Sequence, residues 1–433
     1  MISQYVFYGK IDLTLKSVLK ICGEVDAETD LVVNGEGTYL IPASSFTGAV
    51  RSYLEGCVTP NIVDEFFGSK DERSRVIIYD AEIQLNKEHS FEERIGVRID
   101  KDYGTSDAGK LFTEVYIAKG ATATVLMEAY CSKENEFINL FDAIVQGFND
   151  ESITLGSDKT NGAGVFSAKG KRKVIDLKEN MQTYLKGINA YPWYQADKSN
   201  TTTNASSKAM DTFILEASIP DGLLVGSGSG NDEVNKVNMT HANGKYYIPG
   251  TSIKGVIRAY VRKIVSYLKL DDHIIGEVFG YDDNSAVKSG CVNVEDCELA
   301  DDSISKTIYN RIKIDRLLGG TIGSAKMTEE VLSTKQNKTI TIKVRLNHKY
   351  LNDTQEITDI LPKARALVYL AMRDLGAGYF SIGSGNSVGH GRLQGITLAY
   401  NDQKYSYNFS NGIAQIKVDN KDIEDAIKAL TEA

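Results

Sequence analysis

The stretch Tyr247-Ile248-Pro249-Gly250-Thr251-Ser252-Ile253-Lys254-Gly255-Val256-Ile257-Arg258-Ala259-Tyr260 decides the fold, because the chain writes it twice. Its counterpart is Leu40-Ile41-Pro42-Ala43-Ser44-Ser45-Phe46-Thr47-Gly48-Ala49-Val50-Arg51-Ser52-Tyr53, with Pro, Gly, Arg and Tyr in step. Both read as a strand end, a turn and a helix opened by hydroxyl residues. A Ser or Thr at that point is expected to cap the first-turn amides and leave the helix N-terminus as an anion site. Gly48 and Gly255 fall inside the helical pattern, where Gly costs about 1 kcal/mol relative to Ala. Something is therefore expected to come close to the backbone there.

Other landmarks repeat in the same order. Pro42 and Pro249 lie 207 residues apart, Gly68 and Gly280 212, Asp80 and Asp296 216, Asp100 and Asp315 215, and Gly156 and Gly383 227. Offsets that drift slowly are what loop insertions do to a duplicated unit. Ile11, Leu13 and Leu15 alternate with polar residues as a half-buried strand, and Phe213, Leu215 and Ala217 repeat this in the second copy. Phe46, Val50 and Leu54 give the first helix one buried face. Strands are predicted at 75–82, 121–129, 292–298 and 340–346, and helices at 137–148 and 362–375. Each copy ends in a glycine loop, 156–164 or 383–391. The expected fold is α+β, with two tandem ferredoxin-like (RRM-like, βαββαβ) domains. They are placed at 1–190 and 211–400, joined by a linker at 191–210 that has almost no apolar residues. A strand and a closing helix at 423–430 extend the second domain through 401–433.

Composition sets broad limits. A chain of 433 residues with 42% hydrophobic content has room for two or three packed domains. No apolar run reaches membrane-spanning length, and residues 1–5 lack the basic and apolar regions of a signal peptide, so a cytoplasmic protein with no membrane partner is expected. Five scattered cysteines without a CxxC pair support neither a disulfide framework nor a zinc site. A net charge of −9 argues against coating nucleic acid by bulk electrostatics, while leaving room for a local basic track.

On Ile248-Pro249-Gly250-Thr251-Ser252-Ile253-Lys254-Gly255, on Ile314-Asp315-Arg316 and on the terminal glycine loops, the chain resembles the repeat-associated mysterious protein (RAMP) superfamily. The likeness is to the guide-RNA-binding backbone subunits of type III CRISPR effector complexes, and the fusion of two copies looks most like the type III-D group. It implies a palm that holds CRISPR guide RNA and a thumb hairpin, around Asp100–Glu114 and Asp315–Glu330, that pushes between guide and target RNA. Implied partners are guide RNA, target RNA, other RAMP subunits and the large signalling subunit of the complex.

The resemblance also assigns roles. Ser44, Ser45 and Arg51 in the first copy, and Thr251, Ser252, Lys254 and Arg258 in the second, are expected on guide phosphates, with Lys101 and Arg316 from the thumbs. Copy one has Thr47 and Ala43 where copy two has Lys254 and Gly250, so its grip is expected to be weaker. The glycine loops, with Lys159, His390 and Arg392 beside them, are expected to cradle a second phosphate through successive amides; a tight turn needing positive φ is the alternative. Backbone subunits of this family cut target RNA with a loop Asp and a divalent cation such as Mg²⁺. Asp30 and Asp26 in copy one and Asp232 in copy two are the candidates, both as catalytic residues and as metal ligands. His241, as a general acid or base, would suit a guide-precursor endonuclease, and Tyr103 offers a stacking ring in the thumb. A purely structural subunit that spaces the guide is the remaining reading.

Overall fold

A computed structural model describes residues 4–22, 30–99, 106–190, 197–198, 210–228, 230, 234–282, 287–322, 326–348, 351, 354–411 and 413–431. Asp26, Asp100, Lys101, Tyr103 and Asp232 lie outside the described residues, as does most of the expected linker. The chain divides into two compact units, Met1–Arg94 with Thr113–Ser207 and Ile95–Phe112 with Lys208–Ala433.

The first copy runs β1 (Tyr5–Leu15), β2 (Leu40–Ile41), α1 (Ala43–Leu54), α2 (Pro60–Phe67), β3 (Val76–Ile78), β4 (Ala81–Gln84), β5 (Phe91–Ile99), β6 (Ser106–Ile117), β7 (Thr122–Cys131), α3 (Ile138–Asn149), β8 (Phe166–Asp176), α4 (Met181–Tyr184) and β9 (Asp197–Lys198). Its antiparallel sheet has the order β2-β4-β7-β1-β8-β9, with β3 also on β7. Central β1 pairs Tyr5 with Cys131 on one side and with Asp176 on the other. The alternation at Phe7, Ile11 and Leu13 buries these side chains against Phe46 and Val50 of α1 and Phe141 and Ile144 of α3. Full burial of such side chains contributes roughly 1.5–3 kcal/mol each.

The second copy continues with β10 (Met210–Ser218), β11 (Tyr247–Ile248), α5 (Gly250–Leu268), α6 (His273–Phe279), β12 (Gly280–Asp282), β13 (Val287–Ser289), β14 (Val292–Val294), β15 (Cys297–Glu298), β16 (Ile304–Arg311), β17 (Met327–Thr334), β18 (Ile340–Asn347), α7 (Thr354–Gly376), β19 (Gln394–Tyr400), β20 (Gln403–Ser410), β21 (Ile413–Ile416) and α8 (Lys421–Thr431). The sheet order β14-β18-β10-β19 matches β3-β7-β1-β8 strand for strand, the pair β11–β15 matches β2–β4, and β20 and β21 extend the edge. This is the ferredoxin-like order, found in each copy. Phe213, Leu215 and Ala217 of β10 pack into one core with Ile253, Ile257 and Val261 of α5 and Leu367 and Ala371 of α7.

The structure departs from the expected elements where it matters for the site. The strand expected over 75–82 breaks after Ile78, and the one over 292–298 breaks after Val294. Each break frees an aspartate to turn toward the helix of the repeated motif. The Ala43 amide donates to Asp80 Oδ1 at 2.7 Å, and the Gly250 amide to Asp296 Oδ1 at 2.8 Å. Pro42 and Pro249 stand at the cap positions with extended ψ of 138° and 137°, and neither helix receives a side-chain cap from its own N-cap residue. The expected Ser and Thr caps are thus replaced by a carboxylate from across the sheet. Asp80→Ala and Asp296→Ala should each cost about 1 kcal/mol, the usual loss for a helix cap, read as a lower urea midpoint for the copy that carries the change.

Candidate nucleic-acid interface

The repeated helix starts are internally braced on one side and open on the other. Arg51 donates to the Gly68 carbonyl and pairs with Asp64 and Glu55, while Arg258 Nη2 donates to the Gly280 carbonyl at 3.2 Å. Gly68 and Gly280 end α2 and α6 with φ of +82° and +86°. The same arginine therefore ties the same helix pair together in both copies. This departs from the expectation that both arginines face guide phosphates: Arg51 donates to three groups of its own copy, and Arg258 donates through Nη2 to the end of its neighbouring helix.

The open side carries Ser44, Ser45 and Gly48 in copy one and Thr251 and Gly255 in copy two, all exposed, with Ser252 and Lys254 half-buried. The first amides to close the helix from within are those of Phe46 and of Ser252 and Ile253, which reach the Pro42 and Pro249 carbonyls. Among the described residues the amides of Ser44, Ser45 and Thr251 meet no backbone carbonyl. The caps carry negative charge at the positive end of each helix dipole. A phosphate binding there must therefore be held by these amides, the hydroxyls and nearby cations rather than by the dipole. Among the described residues a Cβ on Gly48 or Gly255 would meet no atom within 4 Å, so none of them accounts for two glycines that weaken their helices. Gly48→Ala and Gly255→Ala should each raise stability by about 0.5–1 kcal/mol, seen as a higher melting temperature.

The glycine loops turn inward. The amides of Ser157 and Gly164 donate to the carbonyls of Lys20 and Val18, both at 2.7 Å. Those of Ser384 and Gly391 repeat this onto Leu224 and Gly222, at 2.8 and 2.7 Å. Gly156, Gly164, Gly383 and Gly391 have φ between +76° and +84° and lie so close to carbonyl oxygens that no side chain fits. These loops are tight turns locked to the segment after the first strand, which overturns the expected amide cradle. Their side chains differ in fate. His390 is 5% exposed and buried within the fold, so it is not available as a surface phosphate ligand. Arg392 is exposed, with Nε on the Gly378 carbonyl at 3.2 Å. Burial holds the Lys159 amine below its usual range, and it has no carboxylate partner among the described residues.

The thumb excursions are long two-stranded ribbons, β5–β6 and β16–β17, beginning earlier than expected. In the second ribbon Ile304 pairs with Thr334 and Arg311 with Met327. At its tip the amides of Leu318 and Leu317 donate to Asp315 and hold its carboxyl below the usual range. That turn displays Leu317 and Leu318, 93% and 82% exposed, next to exposed Arg316.

Asp30 is exposed and adopts φ of +55° just before the Cys22–Leu31 bridge. The matching bridge in copy two joins Gly226 and Asn238, which puts Val237 at the Asp30 position. Among the described residues no three His, Cys, Asp or Glu side chains gather as a metal site. Mg²⁺ is usually held by one or two carboxylates plus substrate phosphates, and a single exposed Asp30 fits that protein share. The His241 ring stacks on Tyr247 at 3.9 Å and 11°, inside a hairpin closed by its own amide on the Lys245 carbonyl. That is a packing role.

The RAMP superfamily model matches residues 24–167 and 220–394, one stretch in each copy. The chain belongs to the RAMP superfamily. No curated protein sequence matches it. Among solved structures it is similar, at 19% identity, to a chain of "Cryo-EM structure of the Type III-B Cmr-beta bound to cognate target RNA". The match has a TM-score of 0.34 and covers 40% of this RAMP chain and 61% of that one. A score that low adds nothing to the assignment, which rests on the two family matches.

Proposed function

We propose that the protein is a fused, two-module backbone subunit of a type III CRISPR effector complex, most like type III-D, which binds guide RNA and cuts paired target RNA. The observation that carries the binding half is the pair of glycines, Gly48 and Gly255, exposed on the repeated helices with no described residue within reach of a Cβ there. A sugar-phosphate backbone lying on that face would use the space and would meet the Ser44, Ser45, Thr251 and Ser252 hydroxyls with Lys254 beside them. Such contacts read the backbone and not the sequence. Lys159 and Arg392 add cations, and an anion would satisfy the amine that burial now disfavours. Leu317 and Leu318 at the thumb tip suit insertion between base steps, as apolar wedges do elsewhere. Other RAMP subunits and the large signalling subunit would complete the assembly.

Gly255→Leu should leave the fold intact, since its side chain has open space, and should cut retention of co-purifying RNA severalfold. Unchanged RNA content would remove α5 from the interface. Leu317→Ser with Leu318→Ser should leave guide binding in place and weaken discrimination of the paired target.

Cleavage is assigned to copy one. Asp30 supplies the carboxylate, and a bound Mg²⁺ would stabilise charge on the leaving oxygen. Asp30→Ala should abolish target cleavage in Mg²⁺ while guide RNA stays bound, and EDTA should reproduce that loss. Cuts that persist in Asp30→Ala, Asp26→Ala and Asp232→Ala alike would leave the subunit a structural spacer.

A further inference from the structure

The second copy holds an open cleft of about 610 Å³ between the thumb ribbon, the glycine loop and the segment after β10. Thr307, Tyr309 and Arg311 of β16 line one wall, Ser333 joins them from β17, and His390 and Val388 form the other wall. The Tyr309 ring is 44% exposed and faces the cleft at 5.8 Å from the His390 ring. Arg311 lies 2.5 Å from a Glu329 carboxylate oxygen, and its Nη2 lies 2.8 Å from His390 Nε2.

The imidazole has a prepared seat. Its Nδ1 lies 2.9 Å from the Asp221 carbonyl oxygen. A carbonyl only accepts, so Nδ1 carries the proton, and Nε2 is left to accept from Arg311. Gly222 and Gly385, at φ of +93° and +79°, flank the ring, and a Cβ at either would press on it at 3.2 and 2.7 Å. His390 thus fixes Nη2 of a guanidinium whose Nε lies against the Glu329 carboxylate.

Copy one closes the same place. The carbonyls that receive the glycine loops align Val18 with Gly222, Lys20 with Leu224 and Gly164 with Gly391, which puts Ala163 opposite His390. There Tyr116 is 5% exposed and packs with Val18 and Ala163, and its hydroxyl lies 2.8 and 2.9 Å from carboxylate oxygens of Glu114 and Asp158. Lys20 pairs with Glu114 at 2.9 Å across the gap. The fold itself therefore does not require a cleft at this position.

We propose that the copy-two cleft takes one unpaired nucleotide of a bound RNA strand, its base stacked on Tyr309 and its phosphate on the outer edge of Arg311. His390 is the residue that positions Arg311. An aromatic face, a fixed guanidinium and two hydroxyls in one cleft match a nucleotide's planar base, anion and sugar. The proposal rests on the RNA-binding reading above and adds an inequality to it: among the described residues copy two holds this cleft and copy one fills the matching place.

The test uses the full chain with a single-stranded RNA carrying 4-thiouridine, photo-crosslinked and mapped by mass spectrometry, with affinity measured across a salt series. A crosslink at Tyr309 is expected. Tyr309→Ala should weaken binding about tenfold, in the range of one lost base stack. Arg311→Gln should lower affinity similarly and reduce the salt slope by about one. His390→Leu should match Arg311→Gln, whereas His390→Gln, which keeps an acceptor near Nε2, should restore most of the affinity and the slope. A mere packing role for His390 would leave the slope unmoved. RNA that binds and crosslinks elsewhere, with the cleft unlabelled and the slope unchanged in Arg311→Gln, overturns the pocket and spares the RNA-binding reading. A chain that binds no RNA removes both.

Discussion

Two aspartate carboxylates, each on the first amide of a helix that begins with proline, set the geometry on which the rest of both palms depends. Asp80 reaches Ala43 and Asp296 reaches Gly250 only because the strand that carries each one breaks just before it. Proline lacks an N–H and fixes φ, so it enters the helix cleanly but cannot bond back to the sheet. The carboxylate makes that link, and Arg51 or Arg258 makes the next one, from the helix to the end of its neighbour. Helix start, strand break and arginine act as one unit, used twice. What this unit leaves open is the hydroxyl-bearing first turn and its glycine.

Much of this was legible in the sequence, though with some of the roles assigned wrongly. The spacings of Pro42, Gly68 and Asp80 against Pro249, Gly280 and Asp296 gave the duplication, and all six prove to belong to the bracing network. Burial periodicity gave α1 and α3, since Phe46, Val50 and Leu54 mark a face with no help from tertiary context. The strand breaks were hidden, because Tyr79-Asp80 and Glu295-Asp296 continue an extended pattern and only the contact with a distant helix tells why it stops. The same blindness put Arg51 and Arg258 on phosphates. A lone arginine on a helix shows its charge in the sequence, while the carbonyl it serves lies 17 or 22 residues onward. The glycine loops were read for what their amides could hold, and the carbonyls of Val18, Lys20, Gly222 and Leu224 already hold them.

The copies share a frame and differ in what they place on it. Copy one has Asp30 where copy two has Val237, and packs Tyr116 where copy two seats His390. Such differences fall on residues outside the bracing network, where substitution does not disturb the helix start. Duplication inside one chain lets the two modules diverge while their ratio stays fixed at one to one.

The turn at the second thumb tip has a cost for the isolated chain. Asp315 ties down two consecutive amides, so Leu317 and Leu318 are held in water by a locked backbone and cannot fold back to hide. With Ile312 and Ile314 also more than half exposed, the tip is a small greasy knob on a polar ribbon. Knobs of that kind are where unassembled copies adhere to one another. The solubility of this chain should therefore depend on whether the tip is covered: left bare at high concentration, it should behave as a sticky orphan that aggregates or is degraded.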